Sequence, residues 1–217
     1  MFTENTEKNQ KQNPSQMLFA DLKIRKKIAI DLDGMDHKPV YFVSFANLPI
    51  EDEHFAIVFG YPSKVDEPVV RVHSECITGD LFRSKRCDCG AQLSEFLEIM
   101  KSCDGVLLYL RQEGRGIGLY AKLDAYELQD LGQDTFEANK SLNFPEDGRD
   151  FTIAGQMLKL LEIRRFALVT NNPDKITALK DAGLDVAKVQ QTGTHITKQN
   201  RRYLMAKRRK GHLLQKI

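Results

Sequence analysis

The 217 residues, 41% hydrophobic and 29% charged, suffice for one large domain or two small ones with a real core, and one domain with tails is expected. No apolar run approaches the ~20 residues of a membrane span, and the polar leader at 1–16, MFTENTEKNQKQNPSQ, has neither the apolar region nor the cleavage pattern of a secretory signal. The expectation is therefore a cytoplasmic protein with a disordered leader and no membrane partner, in a reducing compartment where four cysteines point to metal or catalysis before disulfides.

In chain order, residues 18–27 show a mixed pattern that defines no element. Short runs rich in β-branched and aromatic residues follow at 39–46 (PVYFVSFA), 54–60 (HFAIVFG) and 68–74 (PVVRVHS), parted by Pro, Asp and Gly, and predict antiparallel strands. Leu93, Phe96, Leu97 and Met100 recur at helical spacing and predict a helix ending near Cys103. A buried strand at 105–110 (GVLLYL) runs into a glycine loop and a helix over 117–131. The segment 134–150 reads as irregular, with a short helix after Thr135. A helix at 152–161, a strand at 165–170 and a helix opened by Pro173 and closed by Gly183 complete the pattern. The fold class is a mixed α+β or α/β one, with mainly antiparallel N-terminal strands followed by alternating β-α units in a single zinc-containing domain.

Cys76, Cys87 and Cys89 have the residue types of a zinc site, but not the paired spacing of a zinc ribbon. Three thiolates leave a fourth position for water, whereas four close a site and make it structural. Cys103 is the rival fourth ligand; its place at the end of an apolar helix face favours a small core residue instead. Zinc held by three cysteines can activate water against a ring carbon of a nucleobase with a neighbouring Glu as acid/base, and Glu75 is such a neighbour. The net negative charge of three thiolates calls for nearby cations, for which Arg71, Arg83, Lys85 and Arg86 are candidates.

The second constellation is LYLRQEGRGIGLY, whose three closely spaced glycines suit a phosphate cradle or, more blandly, a tight turn. Arg111 and Arg115 favour the phosphate, and Glu113 suits the donor edge of guanine. Asn171 and Asn172 stand where α/β sheets place ligands, or simply cap a helix. After Asp185 there is no acidic residue, and the run Lys207, Arg208, Arg209, Lys210 is either an anion-facing surface or a solvated helix face.

Taken together, RVHSECITGD, RCDCGAQL, RQEGRGIGL, AYELQDLG and LVTNNPDK strongly resemble, in order and spacing, GTP cyclohydrolase II, the zinc enzyme that opens riboflavin biosynthesis. The likeness spans roughly residues 69–186 and continues weakly through NRRYLMAKRRKGHLL. It implies a catalytic domain over 17–197, a basic tail over 198–217, and a homodimer that converts GTP to a diaminopyrimidinone ribosyl phosphate with loss of C8 as formate and of pyrophosphate. It also implies zinc on Cys76, Cys87 and Cys89, with magnesium on the GTP phosphates. Carried over by residue, Arg71, Val72, His73, Ser74, Glu75, Gln92, Glu113, Gly114, Arg115, Thr135, Thr170 and Lys175 contact GTP, and Tyr126, Asp147 and Arg149 match the catalytic tyrosine, aspartate and arginine. The family assigns the arginine as a nucleophile on the α-phosphorus; a guanidinium is a poor nucleophile, and a phosphate clamp is the alternative.

Two stretches depart from the family pattern: the strands before Val69, and 189–197 (VQQTGTHIT), which lacks an Arg-x-Pro-Leu. They leave room for a paralogue with an altered product. A reading from another class is a nucleic-acid-binding module with a structural zinc closed by all four cysteines and the basic tail as its contact surface; nucleic acid is not the favoured partner.

Overall fold

The computed structural model describes residues 19, 21–48 and 53–214. The leader at 1–16 lies outside them. Seven strands form one mixed sheet in the order β1-β2-β3-β5-β4-β6-β7. Strands β2 (Val40–Ala46), β3 (Phe55–Phe59), β4 (Val69–Ser74), β5 (Gly105–Leu110) and β6 (Arg165–Val169) fall on the predicted runs. The outer strands β1 (Lys23–Ala29) and β7 (Asp185–Gln190) are additions. Both are poor in buried side chains, and β1 is exposed along its whole length, its lysines and arginine guarding the edge against further pairing.

Strands β1, β2, β3 and β5 pair antiparallel, whereas β5, β4, β6 and β7 run parallel, so β4, expected among the antiparallel strands, is parallel to both of its neighbours: the alternation that marks a strand does not fix its direction. Parallel neighbours need long crossovers, and the helices supply them. These are α1 (Ile77–Asp80), α2 (Cys89–Met100), the single turn α3 (Glu113–Gly116), α4 (Leu119–Asp130), α5 (Thr135–Ser141), α6 (Thr152–Leu160), α7 (Pro173–Asp181) and α8 (Arg201–Arg209). Asp134 begins α5 with a capping box completed by Glu137, which explains why a short helix holds inside an otherwise irregular segment.

The period-2 alternation divides the core between the two faces of the sheet. On one face Val70, Val72, Val106, Leu108 and Leu168 pack with Ile153, Met157 and Leu158 of α6 and Leu179 of α7. On the other, Phe96 and Met100 of α2 meet Phe59 and Leu107, with the Phe59 and Phe96 rings edge to face at 6.4 Å. Full burial of one such ring contributes about 1.5–3 kcal/mol. Cys103 packs beside this second cluster, as the apolar periodicity predicts. Among the described residues no helix is long and apolar enough to cross a membrane.

The carboxyl ends of β4, β5 and β6 lead directly into Glu75 and Cys76, into residues 111–118, and into Thr170 to Asn172. Open α/β sheets bind ligands at such ends.

Candidate active site

Cys76 follows β4 and caps α1, while Cys87 and Cys89 lie at the start of α2. Their sulfurs come within 4.8 Å of one another, with Cys76 and Cys87 at 3.6 Å. Tetrahedral bonds of ~2.3 Å to one zinc would set sulfurs about 3.8 Å apart, so the set fits the metal. Close backbone approach makes this possible: a Cβ on Gly90 would fall 2.1 Å from the Gly79 carbonyl oxygen, and one on Gly79 would fall 2.8 Å from Cys87 Sγ. Cys103 is not in the group, and no fourth His, Cys, Asp or Glu joins it among the described residues.

Thiol chemistry agrees. Hydrogen bonds from Cys87 and then Cys89 hold Cys76 far below the usual thiol range, while Cys76 and then Cys89 push Cys87 up. One thiolate is favoured and further ones repel, a conflict that a divalent cation resolves. Lys122 of α4 supplies a permanent positive charge. Its Nζ donates to Cys76 Sγ at 3.3 Å, Thr78 Oγ1 at 3.0 Å and Glu113 Oε1 at 2.7 Å. Burial disfavours its charge, but Cys76, Tyr126 and Glu113 outweigh that and raise its pKa.

Lys122 therefore fills the electrostatic role expected of other cations. Arg83 donates to Gly90 O and Ser94 Oγ, and Lys85 is exposed. Arg86 lines the pocket but pairs with Asp130 at 2.8 Å. Lys122 stands one turn before Tyr126 on the same helix face, the one sequence signal that could have revealed it.

One large pocket is lined by every expected metal, substrate and catalytic residue except Asp147. Asp147 reaches it through Arg149. Arg71, Val72, His73, Ser74 and Glu75 come from β4 and its end, Gln92 from α2, and Glu113, Gly114 and Arg115 from the turn after β5. Several are tied into a buried chain of hydrogen bonds. Asp80 Oδ2 accepts from the Cys76 N–H, Tyr109 OH and His73 Nε2; Arg71 joins His73 to Gln92 Oε1, and Gln92 donates to Asp88 at 2.6 Å. Burial lowers the His73 pKa despite Asp80.

The glycine loop departs from the expected phosphate cradle. Gly114 N donates to Glu113 Oε1, Gly116 N to Gln112 O and Gly118 N to Glu113 O, so these donors are already engaged. The loop's left-handed residues, Arg115 at φ 65 and Gly116 at φ 87 among them, instead aim side chains. Arg115 donates to Thr135 Oγ1 at 2.9 Å and stacks its guanidinium 4.1 Å from the Phe136 ring centroid. Glu113 accepts from Gly114 N, Lys122 Nζ and, at 2.6 Å, Ile77 N. With about four lone-pair sites on a carboxylate, one remains on Oε2 beside these three bonds. Arg111 is outside the pocket lining and pairs with Glu75 at 2.8 Å.

The same pocket carries a group of basic side chains. Asp147 accepts from Arg149 Nε at 2.8 Å and Nη2 at 2.5 Å. Burial opposes both charges, yet the pair lowers the Asp147 pKa and raises that of Arg149. Lys175 has no acidic partner among the described residues; its Nζ donates to Val72 O at 2.8 Å, and burial followed by Arg149, Arg71 and Lys207 drives its pKa well down. Thr170 Oγ1 accepts from Asn172 N, Asn172 caps α7, and Asn171 is clamped to Thr192. The expected tail contributes Lys207, from the basic run read as an anion-facing surface or a solvated helix face, together with Tyr203 and His212, which the sequence did not single out.

Fold and pocket thus define an α/β enzyme that joins a three-thiol cluster and a group of basic side chains in one pocket. Comparison with known proteins narrows the class. The family model described as GTP cyclohydrolase II matches residues 29–191. GTP cyclohydrolase-2 of Psychromonas ingrahamii is 50% identical over 197 residues, covering 88% of this chain and 97% of its own. GTP cyclohydrolase-2 of Aliivibrio salmonicida is 50% identical over 193 residues, with the same 88% and 97% coverage. Riboflavin biosynthesis protein RibBA of Thermotoga maritima is 50% identical over 177 residues, 81% of this chain and 45% of its own. The chain belongs to the GTP cyclohydrolase II family and is a hydrolase of that type. The match begins at residue 29, so it takes in β2 and β3, which the recognisable motifs do not reach.

Proposed function

We propose that this enzyme hydrolyses GTP at C8, releasing formate and pyrophosphate and leaving the diaminopyrimidinone ribosyl phosphate of riboflavin biosynthesis. The observation that carries the reading is one pocket with Cys76, Cys87 and Cys89 on its wall together with Arg115, Arg149 and Lys175. A ligand with an electrophilic ring at one end and a polyphosphate at the other suits both parts.

Cys76, Cys87 and Cys89 would hold zinc, which when bound supplies the Lewis acid for activating water. Lys122 offsets the negative charge of the thiolates and so supports that activation. Tyr126 keeps its hydroxyl 3.1 Å from Thr78 Oγ1, and burial raises its pKa, so it stays a phenol able to donate to the ring being opened. At the phosphate end, where magnesium would accompany GTP, Arg115 brings charge without an acidic partner among the described residues, and Lys175, whose buried amine favours the neutral form, would take up its proton as the phosphates enter. The bidentate bond from Arg149 to Asp147 stabilises the protonated guanidinium and favours a clamp on the α-phosphate over a nucleophile. A homodimer in the cytoplasm completes the proposal. Incubation with GTP, zinc and magnesium, followed by mass spectrometry, should show the ring-opened monophosphate with formate and pyrophosphate. A ring-opened triphosphate as the end product would instead mark an altered paralogue.

A further inference from the structure

The family match ends at residue 191, yet three pocket-lining side chains lie beyond it: Tyr203, Lys207 and His212. They are held firmly. Leu204 and Asn200 are fully buried, Asn200 Nδ2 donates to His195 O, and the Leu213 N–H donates to Asn171 O at 2.8 Å, so the chain after α8 is fastened to the loop that follows β6. Lys207 Nζ lies 3.0 Å from Asp88 Oδ1 and 4.5 Å from the Tyr203 ring centroid.

Asp88 stands between Cys87 and Cys89, has no exposed side-chain surface, and already accepts from Gln92. Its partner is therefore an ammonium on the pocket wall rather than one in bulk water. The same pocket lining holds Arg149, matched by Asp147, together with Lys175 and Arg115, neither of which has a carboxylate in ion-pair contact among the described residues, and the Arg115 Nη2 is buried without a partner. Asp88 matches Lys207 and Asp147 matches Arg149, which leaves the Arg115 guanidinium as positive charge in this lining without a carboxylate in ion-pair contact, and an anion entering the pocket would relieve it. We infer that Lys207, with His212 beside it, contacts the phosphate chain of the nucleotide, and that α8 is the wall that completes the substrate pocket. This deepens the proposed reaction and rests on it.

The test uses the full chain loaded with zinc and titrated with GTP and, separately, with guanosine. Lys207→Met should weaken GTP binding by about tenfold to a hundredfold, the range for one charge-assisted hydrogen bond, with guanosine affinity and zinc content unchanged. Lys207→Arg should restore part of the loss, and His212→Gln should weaken GTP selectively. Arg208→Met, on the exposed side of α8, should bind GTP as the wild type does. Wild-type affinity in Lys207→Met overturns the inference alone. Equal loss of GTP, guanosine and zinc also overturns it, because Lys207 then serves only to hold Asp88. A wild-type protein that binds no GTP overturns the reaction proposed above, and this inference with it.

Discussion

At the scale of single residues, reactivity follows from how unlike groups are crowded. Three thiols within a few ångströms favour one thiolate and resist the rest, and Lys122 sits on the favoured one. Replacing Cys87 by Ser removes a soft ligand from a set of three; it should abolish formate release and bring zinc content, read by metal analysis, below one per chain. Lys122→Met should retain zinc but lower kcat by about 10–100-fold, the usual effect of a group acting on a metal ligand, as steady-state formate release would show. The cysteines and arginines were legible because their types announce their chemistry. Lys122 was not, since a lysine on an amphipathic helix is ordinarily solvated and only tertiary contact reveals that it is buried. Glu113 was legible by type as suited to a purine edge, but the three bonds it accepts show only in the structure.

At the scale of elements, period-2 and helical spacing located β2 to β6 and the helices that cover them, because each has one face committed to the core. The outer strands β1 and β7 escaped because edge strands bury little and so carry little pattern. Helix α8 was legible only as a basic run, anion-facing or solvated, because its sequence RRYLMAKRR buries only Leu204 and Ala206 and carries little apolar pattern. The approach of α1 to α2 was also invisible, since nothing in the sequence shows that Gly79 and Gly90 pack backbone against backbone. Gly90→Ala would drive a methyl group into the Gly79 carbonyl. It should destabilise the fold by about 1–3 kcal/mol, as overpacking does, and lower zinc affinity; denaturant unfolding and a chelator competition would measure the two effects separately.

At the scale of the whole molecule, the sheet brings three strand ends to one pocket, and the C-terminal segment closes it. Its docking should depend on pH. Burial, and then Lys207, Arg149, Arg115 and Lys175, depress the His212 pKa to about 3. An undocked His212 would titrate near ~6.5. Below that pH the undocked state takes up a proton that the docked state refuses, so docking weakens as pH falls from about 6.5 towards 3 and is unaffected above that window. The penalty at pH 5 is about 2 kcal/mol at most, and roughly half that once partial exposure is allowed for. Amide exchange in residues 200–214 should speed up between pH 7 and pH 5, and His212→Gln should flatten the change.

The central claim is that the cysteine cluster and the basic side chains of the same pocket act on one GTP molecule. The most direct measurement is formate and pyrophosphate release from GTP by the zinc-loaded protein, before and after chelation. The account predicts one formate for each GTP consumed, loss of formate release when zinc is stripped, and recovery when zinc is restored. Formate release that persists in the metal-free protein, or GTP consumption without formate, would contradict it.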